Sequence, residues 1–211
     1  MFVDKLLETK AGKAIYVGGV TILLSALGSW AVLAHQDSDT PTKKNTSAAT
    51  AKARSGMGDA RFVKEAAQGG MAEVKLGQLA QEKGTNESVK NFGKRMADDH
   101  AKANDKLKEA ASKESIPVPG DIGPKNQATY DRLSKLSGAA FDRAYAQDMV
   151  KDHQMDVSEF QKEANGGKND SIKSFASETL PTLQDHLKQA KEMMKTVGST
   201  HAAKASANSG R

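Results

Sequence analysis

The chain has 211 residues, with 31 Lys+Arg against 26 Asp+Glu, and a formal net charge of +5. That basic balance raises nucleic acid and anionic membranes as partners, although aromatics at 5% are too few for base-stacking platforms. The absence of cysteine excludes disulfides, thiol nucleophiles, Cys-type zinc sites and iron–sulfur clusters.

Ile15 to Ala34 form a 20-residue run without a charged side chain. As a helix it is about 30 Å long, the thickness of a hydrocarbon core. Lys5, Lys10 and Lys13 precede it and Asp37 and Asp39 follow, which orients the N-terminus to the cytoplasm. Residues 1–36 read either as an uncleaved signal anchor or as a signal peptide cut after Val32-Leu33-Ala34; the length of the run favours the anchor. The anchor places the protein on the inner membrane facing the periplasm. Cleavage would release it to the periplasm or outer membrane.

Residues 37–60 are rich in Ser, Thr and Ala with no apolar period, and read as a flexible linker. Residues 198–211 read as a disordered tail. Between them, residues 61–197 repeat apolar side chains at 3.6 spacing and predict an all-α domain. Four helical segments are expected: Arg61 to Lys83 with Asp59 as its cap, Glu87 to Glu114, about Asn126 to Glu163 with a break near Ser137-Gly138, and about Ser171 to Val197 with a kink at Pro181. Short turns make the first and second, and the third and fourth, antiparallel hairpins.

Ser115 to Lys125 holds three prolines and cannot be helical. Extended, it reaches about 36 Å, the length of a 24-residue helix. It can therefore run the length of the bundle and start the third helix at the same end as the first. That is the long crossover of ferritin-like four-helix bundles, and an up-down bundle with a slack loop is the alternative. A faint repeat supports duplication: Asn86-Glu87-Ser88-Val89-Lys90-Asn91-Phe92 against Asn169-Asp170-Ser171-Ile172-Lys173-Ser174-Phe175, with Asp99-His100 and Asp185-His186 downstream and Phe62 and Phe141 upstream.

Each helix carries one ionisable group on its apolar stripe: Glu73, His100, His153 and His186. Their heights above the turns agree to within about 10 Å. One carboxylate and three imidazoles suit a single Zn, Cu, Fe or Mn ion, with Asp99, Asp152, Asp156 and Asp185 as acceptors behind them. A metal-free buried Glu/His network and scattered boundary positions are the competing readings. Met96 and Met149 each precede a histidine by one turn, a spacing open to a soft metal but commoner as core filler. Tyr145 shares the stripe and is a candidate donor of a buried hydrogen bond. Gly69-Gly70 and Gly77 weaken the first helix unless helices approach closely there. No catalytic motif occurs, so an enzyme is not expected.

The segments FVKEAAQGGMAEVKLGQLAQEKG, SVKNFGKRMADDHAKANDKL, LSGAAFDRAYAQDMVKDHQMDVSEF and LPTLQDHLKQAKEM resemble the bacterial domain-of-unknown-function 4142 family over about 60–195. The resemblance implies a ferritin-like four-helix bundle, export, and recurrent positions at Glu73, Asp99, His100, Asp142, Tyr145, His153, Leu180, Pro181 and His186. It implies no activity. Di-iron bundles need Glu-x-x-His on two helices, whereas Ala97, Val150 and Leu183 stand three residues before the histidines. The expectation is thus an exported, membrane-tethered domain holding one metal ion. The alternative is a non-enzymatic envelope or stress-related interaction module with a structural His/Glu network.

Residues 61–197 hold 22 Lys+Arg and 21 Asp+Glu, so the domain is nearly neutral. Nucleic acid is accordingly not expected as a partner.

Overall fold

The computed structural model describes residues 44–209, and over them the chain is all-α, with five helices and no strand. The uncharged run at 15–34 lies outside the described residues. Among those described, no helix is long and apolar enough to cross a membrane.

α1 (Lys44–Lys83) and α2 (Glu87–Lys113) pack along their lengths as one antiparallel hairpin, and α4 (Gly138–Gly166) and α5 (Asp170–Ser209) as another. α3 (Gly123–Ser134) lies between them in sequence and packs mainly on α1. Asn86 starts α2 by accepting a 2.9 Å hydrogen bond from the Ser88 N–H through its Oδ1. Ser115, at φ 54°, ends it in a left-handed cap, and the Ile116 N–H turns back to the Ala111 carbonyl.

Two carboxylates tie each hairpin to the turn of the other. Asp142, at the start of α4, accepts from the Thr85 N–H (3.0 Å), the Thr85 hydroxyl (2.6 Å) and the Asn86 N–H (3.0 Å) in the α1–α2 turn. Asp59, on α1, accepts from the Lys168 and Asn169 N–H groups (3.0 and 2.7 Å) in the α4–α5 turn. α4 therefore starts where α1 ends, not where α1 begins as expected. The reason is simple: α2 finishes beside the α4–α5 turn, where the Ser171 N–H donates to Glu114, and a connection that runs the length of the pair arrives at the α1–α2 turn. Part of that connection is helical, because α3 takes up residues expected to be loop or the front of one long third helix. Residues 135–137 separate α3 from α4, with Ser137 extended at φ −148° and Gly138, at φ 57°, opening α4.

Three further expectations are corrected. Helix already begins at Lys44, inside the segment read as a linker, and α5 runs to Ser209, inside the segment read as a tail. Alanine supplies helix propensity there without any apolar period to reveal it. Asp59 consequently sits within α1 and caps the opposite hairpin's turn rather than its own helix. Pro181 lies inside α5.

The buried side chains form two apolar clusters. One, near the α1–α2 turn, gathers Leu76, Phe92, Met96, Phe141, Tyr145 and Met149 among others. The other, toward the α4–α5 turn, gathers Phe62, Leu107, Phe160, Ile172, Phe175 and Leu183. Its centre is an edge-to-face pair, Phe62 on Phe160, with ring centroids 4.9 Å apart. Between these clusters lies a polar layer.

Candidate metal centre

That layer takes one residue from each of four helices: Glu73 of α1, His100 of α2, His153 of α4 and His186 of α5. Their exposures are 1%, 6%, 0% and 1%. The three imidazole centroids stand 5.4 to 5.8 Å apart. Each ring offers one nitrogen, and these three atoms lie within 4.8 Å of one another. Glu73 adjoins this trio, its Oε2 2.6 Å from His100 Nε2 and its Oε1 3.4 Å from His153 Nδ1, and it groups more closely with Asp152 and Asp156.

The partners of each ring fix its proton. His153 Nδ1 is 3.0 Å from the Met149 carbonyl oxygen, which only accepts, so Nδ1 carries the hydrogen. Its Nε2 is buried and has no partner. His186 Nε2 is 2.9 Å from Asp99 Oδ2 and donates to it, and its Nδ1 is buried without a partner. Two lone pairs therefore face the buried interior. A histidine tied by one nitrogen to a carbonyl or carboxylate, with the other bare, is the arrangement of a metal ligand. His100 Nε2 is 2.6 Å from Glu73 Oε2, but the N–H direction does not give a hydrogen bond, and both atoms are unpartnered in that sense.

Electrostatics follow from this crowding. Burial pushes the Glu73 carboxyl up, but the His100, His153 and His186 charges outweigh it and bring it down to about 2. Burial also opposes a charge on His100, yet Glu73 wins and raises its pKa. His153 is lowered by burial and by His100. His186 is lowered to about 4 by burial and by the two other rings, against the pull of Asp99. His153 and His186 are therefore neutral at pH 7, the form that binds metal.

The residues expected behind the ligands behave differently from one another. Asp99 serves His186, not its neighbour His100, and Arg95 Nε holds it at 3.1 Å. Asp185 lies at the surface on Arg95 Nη1 (2.7 Å) and touches no histidine of the layer. Asp152 and Asp156 turn instead toward Glu73, with one oxygen from each of the three carboxylates within 4.8 Å of the others. Burial and the Glu73 charge raise Asp152 to about 7 and Asp156 well above its ordinary value. Tyr145 is fully buried, and its hydroxyl has no partner. Met96 and Met149 pack as core, Met149 serving through its backbone carbonyl. Arg95 and the Met149 carbonyl went unnoticed in the sequence: the first looks like any exposed helix residue, and the second has no side-chain signal at all.

A family model described as "Domain of unknown function (DUF4142)" matches residues 43–193. No curated protein matches the chain. Among solved structures, a DUF305 protein from Streptomyces coelicolor is 15% identical with a TM-score of 0.57, covering 67% of this chain and 92% of its own. A DUF305 fragment from Deinococcus radiodurans is 14% identical with a TM-score of 0.58, covering 66% and 96%. At such identities the likeness concerns the helical fold alone.

Proposed function

The chain belongs to the domain-of-unknown-function family DUF4142, and we propose that it is a non-enzymatic ferritin-like four-helix bundle that holds one transition-metal ion in its core. Glu73, His100, His153 Nε2 and His186 Nδ1 are the donors. The observation that carries this reading is the pair of bare, buried ring nitrogens on His153 and His186, each fixed by an acceptor at the opposite nitrogen. Three imidazoles and a carboxylate suit Zn, Cu, Fe or Mn. Donors of a tetrahedral ion with ~2.1 Å bonds stand about 3.4 Å apart. Glu73 Oε2 and His100 Nε2, at 2.6 Å, would have to separate by ~0.8 Å to reach that spacing. Without Glu-x-x-His on two helices, the donor set departs from di-iron enzymes.

Membrane tethering through residues 15–34, with the domain facing the periplasm, belongs to the same proposal. It is supported by the length of the uncharged run and by the lysines before it. Fractionation of cells expressing the full chain, with carbonate extraction of membranes, tests it; recovery in the soluble cytoplasm would remove this part.

The 2.6 Å approach of His100 to Glu73 favours a second reading. An imidazolium–carboxylate pair would neutralise the buried glutamate without metal, leaving an envelope or stress-related interaction module with a structural network. Elemental analysis of purified protein, with melting before and after chelator, separates the two. Stoichiometric metal and a lower Tm after chelation support the metal site. No metal and an unchanged Tm leave the structural network.

A further inference from the structure

We propose that Glu73, Asp152 and Asp156 form a second, oxygen-only cation site, joined to the histidine site through the Glu73 carboxylate. The inference deepens the metal-binding reading and rests on it for the shared role of Glu73.

Asp152 and Asp156 are one turn apart on α4, so their side chains leave the same face. Glu73 approaches from α1 and completes a triangle of oxygens, each within 4.8 Å of the others. Among the described residues, no Lys or Arg makes an ion pair with any of the three. Buried carboxylates are ordinarily paired or hydrogen-bonded, because an unmatched charge is costly away from water. Glu73 is almost wholly buried, and neither of its oxygens has a partner of hydrogen-bond geometry, although Oε2 stands 2.6 Å from His100 Nε2 and Oε1 3.4 Å from His153 Nδ1. The Tyr145 hydroxyl is equally orphaned and lies within the field of the Glu73 charge. Unspent donor and acceptor capacity is thus concentrated in the neighbourhood of one glutamate.

The repeat gives independent support. The hairpins correspond at an offset of 83 positions, which carries Asp59 to Asp142, Asn86 to Asn169 and Phe92 to Phe175. The same offset carries Glu73 to Asp156. The two carboxylates are therefore counterparts in the two hairpins and meet between α1 and α4. The histidines do not follow the offset: His100 corresponds to Leu183, and His186 to Ala103. Glu73 thus adjoins two sets, the imidazoles of His100 and His153 and the carboxylates of Asp152 and Asp156. An all-oxygen set selects a hard divalent cation such as Mn²⁺, Mg²⁺ or Ca²⁺, and the imidazole set a Zn²⁺-like ion. Asp152 and Asp156 are only partly buried, which leaves room for water to complete the coordination of a hard ion.

The test loads the full-length protein with one equivalent of Zn²⁺, then titrates Mn²⁺, following free Mn²⁺ by electron paramagnetic resonance and counting both metals by elemental analysis. The expected result is one Zn²⁺ and one Mn²⁺ per chain. The Asp152→Asn/Asp156→Asn variant should keep Zn²⁺ and bind Mn²⁺ at least tenfold more weakly. The single Asp156→Asn variant, checked for native melting, covers the case in which the double variant fails to fold. Binding of Zn²⁺ without Mn²⁺, or Mn²⁺ binding indifferent to both Asp variants, would overturn the second site and leave the histidine site standing. Binding of Mn²⁺ without Zn²⁺, unchanged in His153→Ala/His186→Ala, would instead sink the histidine reading while the carboxylate site survived.

Discussion

Asp59 and Asp142 clasp each other's hairpins. Each stands near one end of its own pair of helices and accepts the backbone N–H groups of the opposite pair's turn, Lys168 and Asn169 for Asp59, Thr85 and Asn86 for Asp142. They are 83 positions apart, the offset of the repeat.

Replacing Asp142 with Ala leaves three donors without an acceptor, and we expect a loss of about 2–3 kcal/mol in urea denaturation. Asp59→Ala should cost somewhat less, about 2 kcal/mol, because two donors are involved. The two sites lie at opposite ends of the helices and share no partner. The double variant should therefore show the sum within about 0.5 kcal/mol, and a clear excess or deficit would show that the ends are coupled.

Metal affinity should depend on Asp99 although it is no ligand. Asp99→Ala removes the acceptor that holds the His186 ring, and a weakening of 10–100-fold is expected in competition with a chelator. His153→Ala should abolish binding altogether. Affinity should also climb with pH below the raised pKa of His100, up to tenfold per unit, because the ion must displace that ring's proton. Binding in a weak buffer should release about one proton per ion; release of none would contradict the Glu73–His100 pairing.

Two glycines of α1 should respond to alanine with opposite signs. A Cβ at Gly77 would collide with the Gly93 carbonyl oxygen and lie 2.9 Å from the Ala97 nitrogen, both backbone atoms of α2. Gly77→Ala should then cost about 1–3 kcal/mol. A Cβ at Gly69 meets nothing within 4 Å, so Gly69→Ala should stabilise by roughly 0.5–1 kcal/mol. Thermal melting of the two variants checks the contrast.

Glu163 gives the stability a pH dependence. Burial and the neighbouring Asp59 push its carboxyl up to about 7, from 4.5 when unperturbed. The native chain keeps a proton that the unfolded chain surrenders, so this contribution is full below pH 4.5 and falls away as pH rises to about 7. Glu163→Gln, which cannot ionise, should match the parent near pH 4.5. It should exceed the parent by roughly 1–2 kcal/mol at pH 8, after allowance for solvent screening. A gap that does not grow with pH would refute the assignment.

The four residues of the polar layer were legible because a 3.6 period places Glu73, His100, His153 and His186 on apolar stripes, whatever the arrangement of the helices. Their partners were not. Asp99 lies 87 positions from His186, and only the register of α2 against α5 decides that it, and not Asp185, accepts the ring's hydrogen. Asp59 looked like a helix cap because Asp before an apolar run usually is one; an α1 that begins at Lys44 frees its carboxylate for a turn 109 positions away. The glycines of α1 looked equivalent, and only the neighbouring backbone distinguishes Gly77 from Gly69.

Glu73 and His100 belong to the first hairpin, His153 and His186 to the second. Neither half owns more than two of the four donors, so an ion that needs all of them cannot be held by a hairpin on its own. Loading would then report that both halves have docked. A chain cut by protease in the connection between α2 and α4 would keep its ion for as long as the two pieces stay together, and give it up as they part.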